Sequence, residues 1–210
     1  RVQWTVSNIG SGEVVGPWVL DVCAAPGGKT LALAGRLTPG GLVVAADRHP
    51  GRLTRLNQNV SRMGAKDVVA FASDMSLPAP LTRAFDDVLV DAPCSGTGTL
   101  RRHPEIRWRL KPDDLPALGR RQLAILSAAA DLVRPGGRLV YSVCSIEPEE
   151  GDAVIAAFLA DRDEFARADP RGGLADAARP LVGDDLALHT SPTEDGMDGF
   201  FAALLTRHTV

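Results

Sequence analysis

The segment Trp18-Val-Leu-Asp-Val-Cys-Ala-Ala-Pro-Gly-Gly-Lys-Thr30 decides how the chain is read. An apolar run breaks off at a polar turn, and two adjacent glycines then open a stretch with helical spacing. A strand that feeds a helix through a glycine turn begins a parallel α/β sheet, whose ligands gather at the carboxyl ends of the strands. Glycine lets backbone approach such a ligand closely, and a helix start favours an anionic group.

Outward from this segment the pattern repeats. Short, mostly uninterrupted apolar runs at residues 42–46, 68–71, 88–90 and 138–143 read as strands buried on both faces. Helical spacing occupies residues 30–37, 52–63, 117–133 and 149–159. Pro39-Gly-Gly and Pro135-Gly-Gly each read as closing a helix and entering a strand. From residue 161 to 185 the pattern dissolves into Asp, Arg, Pro and Gly, after which Gly199-Phe-Phe-Ala-Ala-Leu-Leu-Thr-Arg reads as a last strand. No repeat or low-complexity tract interrupts the chain, and the run before Trp18 has weak periodicity.

The 210 residues, 45% of them hydrophobic, suffice for one domain with a full core. A net charge of −3 gives no global attraction to nucleic acid or an anionic membrane, so a polyanionic partner needs a local basic surface. Three cysteines without metal-ligand spacing argue against a disulfide framework or zinc site and for a reducing compartment, the cytoplasm. No apolar stretch approaches the roughly 20 residues of a membrane span. The chain opens at Arg1 without methionine, and it is therefore expected to be part of something longer.

Three ligands compete for the glycine turn. A dinucleotide fingerprint needs Gly-x-Gly-x-x-Gly, which adjacent glycines do not supply. A phosphate loop is matched by Gly28-Lys29-Thr30, and Val88-Leu-Val-Asp91 resembles the metal-binding strand of such enzymes. Cys23 nevertheless stands where its first glycine belongs, and Pro26 removes a backbone donor. S-adenosylmethionine is the third candidate. Asp47, about 20 residues beyond the turn, suits its ribose hydroxyls. Asp74, read as ending the third strand, is placed for the adenine amino edge, and Asp91 ends the fourth. Each aspartate alone also reads as a turn or cap.

Cys94 in Asp91-Ala-Pro-Cys-Ser-Gly-Thr-Gly and Cys144 in Leu139-Val-Tyr-Ser-Val-Cys-Ser stand 50 residues apart, each closing an apolar run. Two thiols delivered to strand ends by different strands can face one pocket. Cytosine is electron-poor at C6, so a thiolate can add there and make C5 nucleophilic, aided by a proton or hydrogen bond at N3, for which Asp91 is the natural candidate. A second thiol can serve as acid/base in expelling the first. Cys23, beside Ala24 and Ala25, reads as passive filling. The four histidines show no ligand spacing. Residues 100–111, Leu-Arg-Arg-His-Pro-Glu-Ile-Arg-Trp-Arg-Leu-Lys, form the densest basic patch, with Trp108 available for stacking on RNA.

Together these motifs resemble the Sun/RsmB branch of the RNA 5-methylcytosine methyltransferases. The resemblance runs nearly continuously from residue 18 to 159 and takes in Asp198-Gly-Phe-Phe-Ala-Ala-Leu-Leu. It implies an α/β class I, Rossmann-like methyltransferase domain at residues 18–210, with seven mostly parallel strands and helices on both faces. Residues 1–17 become a partial or divergent lead-in. The cofactor it implies is S-adenosyl-L-methionine, held by Cys23, Ala24, Ala25, Pro26, Gly27, Gly28, Lys29, Asp47, Arg52, Asp74 and Asp91. The substrate it implies is cytosine C5 in RNA, ribosomal RNA for preference, with no membrane partner and an N-terminal RNA-binding domain missing from this chain. In the family the later cysteine, here Cys144, attacks C6, the proline-cysteine thiol, here Cys94, assists release, and Asp91 completes the catalytic set. DNA cytosine methyltransferases use the proline-cysteine thiol alone, so Cys144 argues for RNA. Val143 replaces a threonine common before the nucleophile, and Gly151 an asparagine usual after Pro-Glu-Glu. The rivals are a nucleotide-binding ATPase and an RNA-binding subunit without turnover.

Overall fold

The structure is a computed structural model that describes residues 16–82 and 84–209. The lead-in expected before Trp18 lies outside the described residues as far as residue 15. Strands β1 (Trp18–Val22), β2 (Leu42–Asp47), β3 (Val68–Ala72), β4 (Phe85–Asp91), β5 (Val133–Val143), β6 (Phe165–Arg167), β7 (Ala187–Thr190) and β8 (Phe200–Arg207) form one sheet. Helices α1 (Gly28–Ala34), α2 (Pro50–Arg62), α3 (Ile106–Arg109), α4 (Asp114–Ala130) and α5 (Asp152–Asp161) alternate with them.

The order β3-β2-β1-β4-β5-β8-β6 reverses direction beside β1, the point at which such sheets open a crevice. The pairs β1–β2, β1–β4, β2–β3 and β4–β5 are parallel, whereas β8 pairs antiparallel with β5, β6 and β7. Eight strands occupy seven positions. β6 lies against residues 205–207 of β8 and β7 against residues 200–203, so two short strands share one edge. The sequence reading missed both because three or four residues are too few to show a period.

Alternation along β2 divides the core. Val44 and Ala46 join the larger cluster with Leu126 of α4 and Phe158 of α5, while Ala45 faces Leu53 and Leu56 of α2. Successive strand residues point to opposite faces, so helices cover both. Phe158 is fully buried and meets Phe165 edge-on at 5.4 Å. Its truncation to alanine should cost about 3–5 kcal/mol.

Two boundaries differ from expectation. Pro135-Gly-Gly lies within β5: Val133 pairs with Phe85 and Arg138 with Asp87, so the extra residues bulge out, with Gly136 at φ 72°. Asp74 stands two residues beyond the end of β3 at Ala72, in the following turn. No described helix is long and apolar enough to cross a membrane.

Candidate active site

β1 ends at Val22 between Ala46 of β2 and Val90 of β4, and Asp91 lies beside Ser142 of β5. The loop after β1 is tied to β2 and α2. Cys23 takes a left-handed φ of 64°, and the Ala24 N–H donates to the Ala46 carbonyl at 2.9 Å. Asp47 accepts from the N–H groups of Ala25 (3.2 Å) and His49 (2.9 Å), and Arg52 donates to the Ala25 carbonyl at 2.6 Å. The Asn59 amide reaches the Pro26 carbonyl at 3.0 Å. Gly27, at φ 102°, packs so near Leu56 that a β-carbon would sit 3.1 Å from Leu56 Cγ, whereas Gly28 faces open space. The chain therefore offers bare backbone at the start of α1.

Asp21 was quoted in the opening motif but given no role. It is fully buried, its Oδ2 accepts from the Thr30 hydroxyl at 2.6 Å, and its Oδ1 has no partner among the described residues. Burial pushes its carboxyl up to about 6, with the Asp91 and Asp47 charges adding to the rise and the Thr30 hydrogen bond opposing it. A buried acceptor without a donor at a bare backbone turn fits a ligand that brings a cationic group. Asp74 accepts from the hydroxyl (2.6 Å) and N–H (3.1 Å) of Ser76 and faces Arg48 at 3.3 Å. Chiefly the Ser76 hydroxyl holds its carboxyl below the usual range.

At the neighbouring strand ends Lys29 Nζ donates to Asp91 Oδ2 at 2.7 Å, and the Ser142 hydroxyl to Asp91 Oδ1 at 2.9 Å. Cys94 Sγ and Cys144 Sγ lie 3.2 Å apart. The Cys94 S–H hydrogen bond lowers the Cys144 thiol to about 7, with Lys29 assisting and burial and Asp91 opposing. That same bond, followed by burial and the Cys144 and Glu150 charges, pushes Cys94 upward. Burial likewise raises Cys23, to about 12. Val143 is fully buried and belongs to the apolar core against which Cys94 also packs.

A buried network behind the cysteines escaped the sequence reading. Glu150 is fully buried and accepts from Ser95 N (2.8 Å), Ser95 Oγ (2.5 Å), Ser145 Oγ (2.6 Å) and Gln122 Nε2 (2.8 Å). The Tyr141 hydroxyl donates to the Glu150 carbonyl at 2.6 Å. A faint signal existed, since each cysteine is followed by serine.

The basic segment divides. Arg102 pairs with Asp198, and Arg101 reaches the Gly196 carbonyl at 3.3 Å, so both turn toward the loop before β8. Trp108 is 84% exposed between Arg107 and Arg109. A groove of about 430 Å³ beside Cys94 is lined by Ser95, Ile106, Arg109, Leu110, Leu118 and Arg121.

The chain has relatives of known family and fold. A family model described as 16S rRNA methyltransferase RsmB/F matches residues 13–206. The ribosomal RNA small subunit methyltransferase B of Vibrio cholerae is 41% identical over 91% of this chain and 42% of its own length. The probable ribosomal RNA small subunit methyltransferase B of Synechocystis is 36% identical over 97% of this chain and 48% of its own. The chain thus spans about half the length of these relatives. The crystal structure of NSun6 from Pyrococcus horikoshii with SFG superposes with a TM-score of 0.79 at 27% identity, covering 92% of this chain and 48% of that one. The family's cofactor is S-adenosyl-L-methionine. With its motif-bearing strand ends, its sheet order and these relatives in agreement, the chain belongs to the RsmB/F family of 16S rRNA methyltransferases.

Proposed function

We propose that this domain transfers a methyl group from S-adenosyl-L-methionine to C5 of cytosine in RNA, ribosomal RNA for preference, through a covalent bond between Cys144 and C6. The observation that carries the reading is the 3.2 Å contact between Cys94 and Cys144 beside the Lys29–Asp91 pair. One thiol donates to the other, so the pair shares a proton and leaves Cys144 as the readier nucleophile near neutral pH.

The loop at residues 23–29, with Asp21, Asp47, Arg52 and Asp74, would hold the cofactor. Asp21 Oδ1 suits its ammonium group, the lone pairs left on Asp47 its ribose, and Asp74 its adenine amino edge. When bound, the cofactor supplies an electrophilic methyl group, which C5 takes as the sulfur departs with the electrons of the broken S–C bond. Cys144 first forms the S–C6 bond, which turns the C5=C6 electrons toward N3 and C5. The Lys29–Asp91 pair supplies the proton or hydrogen bond at N3 and takes it back at the end. Once Cys144 is bonded to C6, Cys94 gives up the shared proton to solvent and then removes the C5 proton, whose electrons re-form C5=C6 while the S–C6 bond breaks and returns its pair to Cys144. Trp108, Arg107 and Arg109 form the surface for flanking RNA, by stacking and phosphate contact. An RNA-binding domain beyond this chain and a cytoplasmic location belong to the same proposal.

The test is transfer of tritiated methyl groups to transcribed ribosomal RNA, with adducts resolved on denaturing gels. The full-length wild type should turn over, and Cys144→Ala should lose turnover and form no adduct. Cys94→Ala should trap a protein–RNA adduct. Activity that survives in Cys144→Ala overturns the assigned nucleophile.

A further inference from the structure

The two cysteines enter the pocket as chemical equals, and a buried carboxylate outside the proposed catalytic set sits unequally between them. Glu150 follows Cys144 by six residues, in the turn that leads to α5 (Asp152–Asp161). Its neighbour Glu149 is exposed, as acidic residues ordinarily are, while Glu150 has no exposed surface. A carboxylate so buried needs several donors to be tolerated, and it has four. Four donors fill the acceptor positions of its two oxygens.

The donors come from both cysteine loops. Ser95, directly after Cys94, gives its backbone N–H to Oε1 and its hydroxyl to Oε2. Ser145, directly after Cys144, gives only its hydroxyl, again to Oε2. Gln122 of α4 ties Oε1 to the Pro93 carbonyl, donating to both at 2.8 Å and 3.0 Å, which fixes the residue preceding Cys94 as well. Backbone on either side of Cys94 is thus bound to the carboxylate or its partner, whereas the Cys144 loop touches it through one rotatable hydroxyl.

We propose that Glu150 is the positioning residue that gives the two cysteines their different roles: bridging Ser95 and Ser145 it sets the thiol contact, and its charge, anchored on the Cys94 side, keeps the shared proton on Cys94. The proposal rests on the reading that Cys144 attacks C6. Four groups face the thiol pair: Lys29 of α1, Asp91 of β4, Tyr141 of β5 and Glu150. Lys29, paired with Asp91, favours a charged Cys144, while the Glu150 charge acts against a charged Cys94. The buried Tyr141 hydroxyl is raised well above its ordinary range, chiefly by burial and then by Glu150, so it stays neutral. Negative charge at Glu150 therefore disfavours charge on Cys94, while Lys29 favours it on Cys144 against the opposing charge of Asp91.

The alkylation arm needs neither RNA nor cofactor; only the turnover of the double variant requires them. Iodoacetamide alkylation of each thiol is followed by peptide mass spectrometry in wild type, Glu150→Gln and the double variant Ser95→Ala, Ser145→Ala. Wild type should label Cys144 at least about tenfold faster than Cys94 near neutral pH, and Glu150→Gln should shrink that preference to within about threefold. A Glu150→Gln protein that keeps the wild-type preference overturns the proposal, including the case in which a loosened fold speeds both thiols equally. Should Glu150→Gln fail to fold, the double variant decides, since it keeps the charge and removes the bridge. It should keep the preference yet lose about tenfold in kcat at unchanged KM for S-adenosylmethionine, and an unchanged kcat overturns the bridging role. Failure of the RNA adduct would instead count against the reaction assigned to Cys144 and leave the alkylation preference as measured.

Discussion

The loop at residues 23–29 and the paired cysteine loops occupy adjacent strand ends, yet they hold their shapes by different means. The first is tethered by backbone bonds, by the buried Asp47 and by side chains from α2 that remain in contact with water, such as Arg52 and Asn59. The second hangs on Glu150, Ser145 and Gln122, all buried. A half-solvated tether that is lost can be replaced by water, whereas a buried polar network is worth little unless every member is satisfied. The difference teaches where each half tolerates change: the cofactor side should lose affinity by degrees, and the cysteine side should fail as a unit.

The widest break in this comparison is expected on the cysteine side. Removing the donor to Cys144 with Cys94→Ala should raise the midpoint of Cys144 alkylation from about 7 toward the free-thiol value near 8.5, a slowing of roughly tenfold or more at neutral pH. Alkylation rate against pH measures it, and an unmoved midpoint would break the claim that the two thiols share a proton.

On the cofactor side the test is one of stability. The folded value of Asp21, about 6, lies above the ordinary 3.8, so the folded chain binds the proton more tightly than the unfolded chain. That contribution is full below about pH 4 and is lost as pH rises through about 6. Asp21→Asn carries no such loss, so its stability relative to wild type should climb by on the order of 2 kcal/mol between about pH 4 and pH 7. Urea unfolding across that range reads the climb independently of any constant offset from the new amide. A flat difference would mean that burial does not perturb this carboxyl.

The smallest effect belongs to the rim. Trp108→Ala removes an exposed ring that no core depends on, so Tm should stay within about 1 °C while RNA affinity falls about fivefold or more, within the range for one stacked base. Fluorescence anisotropy with a short single strand distinguishes this from an unchanged affinity, which would take Trp108 out of the RNA surface.

Much of the frame was legible because its strands are buried on both faces and therefore appear as unbroken apolar runs. The glycine turn, Asp47, Asp91 and the two cysteines lie at or just beyond the ends of those runs, so their positions were legible too, whereas Asp74 falls in the turn after β3. β6 and β7 were not, being shorter than any recognisable period, and Pro135-Gly-Gly looked like a helix end although it bulges inside β5. Glu150 was the largest omission. In the sequence it is one of two adjacent glutamates after a proline, and only the packing of α4, β5 and both cysteine loops around it shows which of the two is buried.

The approach of Gly98 to Gly199 carries a consequence for the order in which the pocket can form. A β-carbon on Gly98 would fall 1.9 Å from the Gly199 carbonyl oxygen, and Gly199 N–H bonds to the Gly98 carbonyl at 2.8 Å. The loop that follows Cys94 is thus closed by the residue just before β8, about 100 positions later in the chain. The cysteine pocket cannot close until β8 docks beside β5, and β8 also lends Phe201 and Leu205 to the core that holds β1 and β2 and Phe200 to the Lys29 side chain, so both halves of the site wait on one late strand.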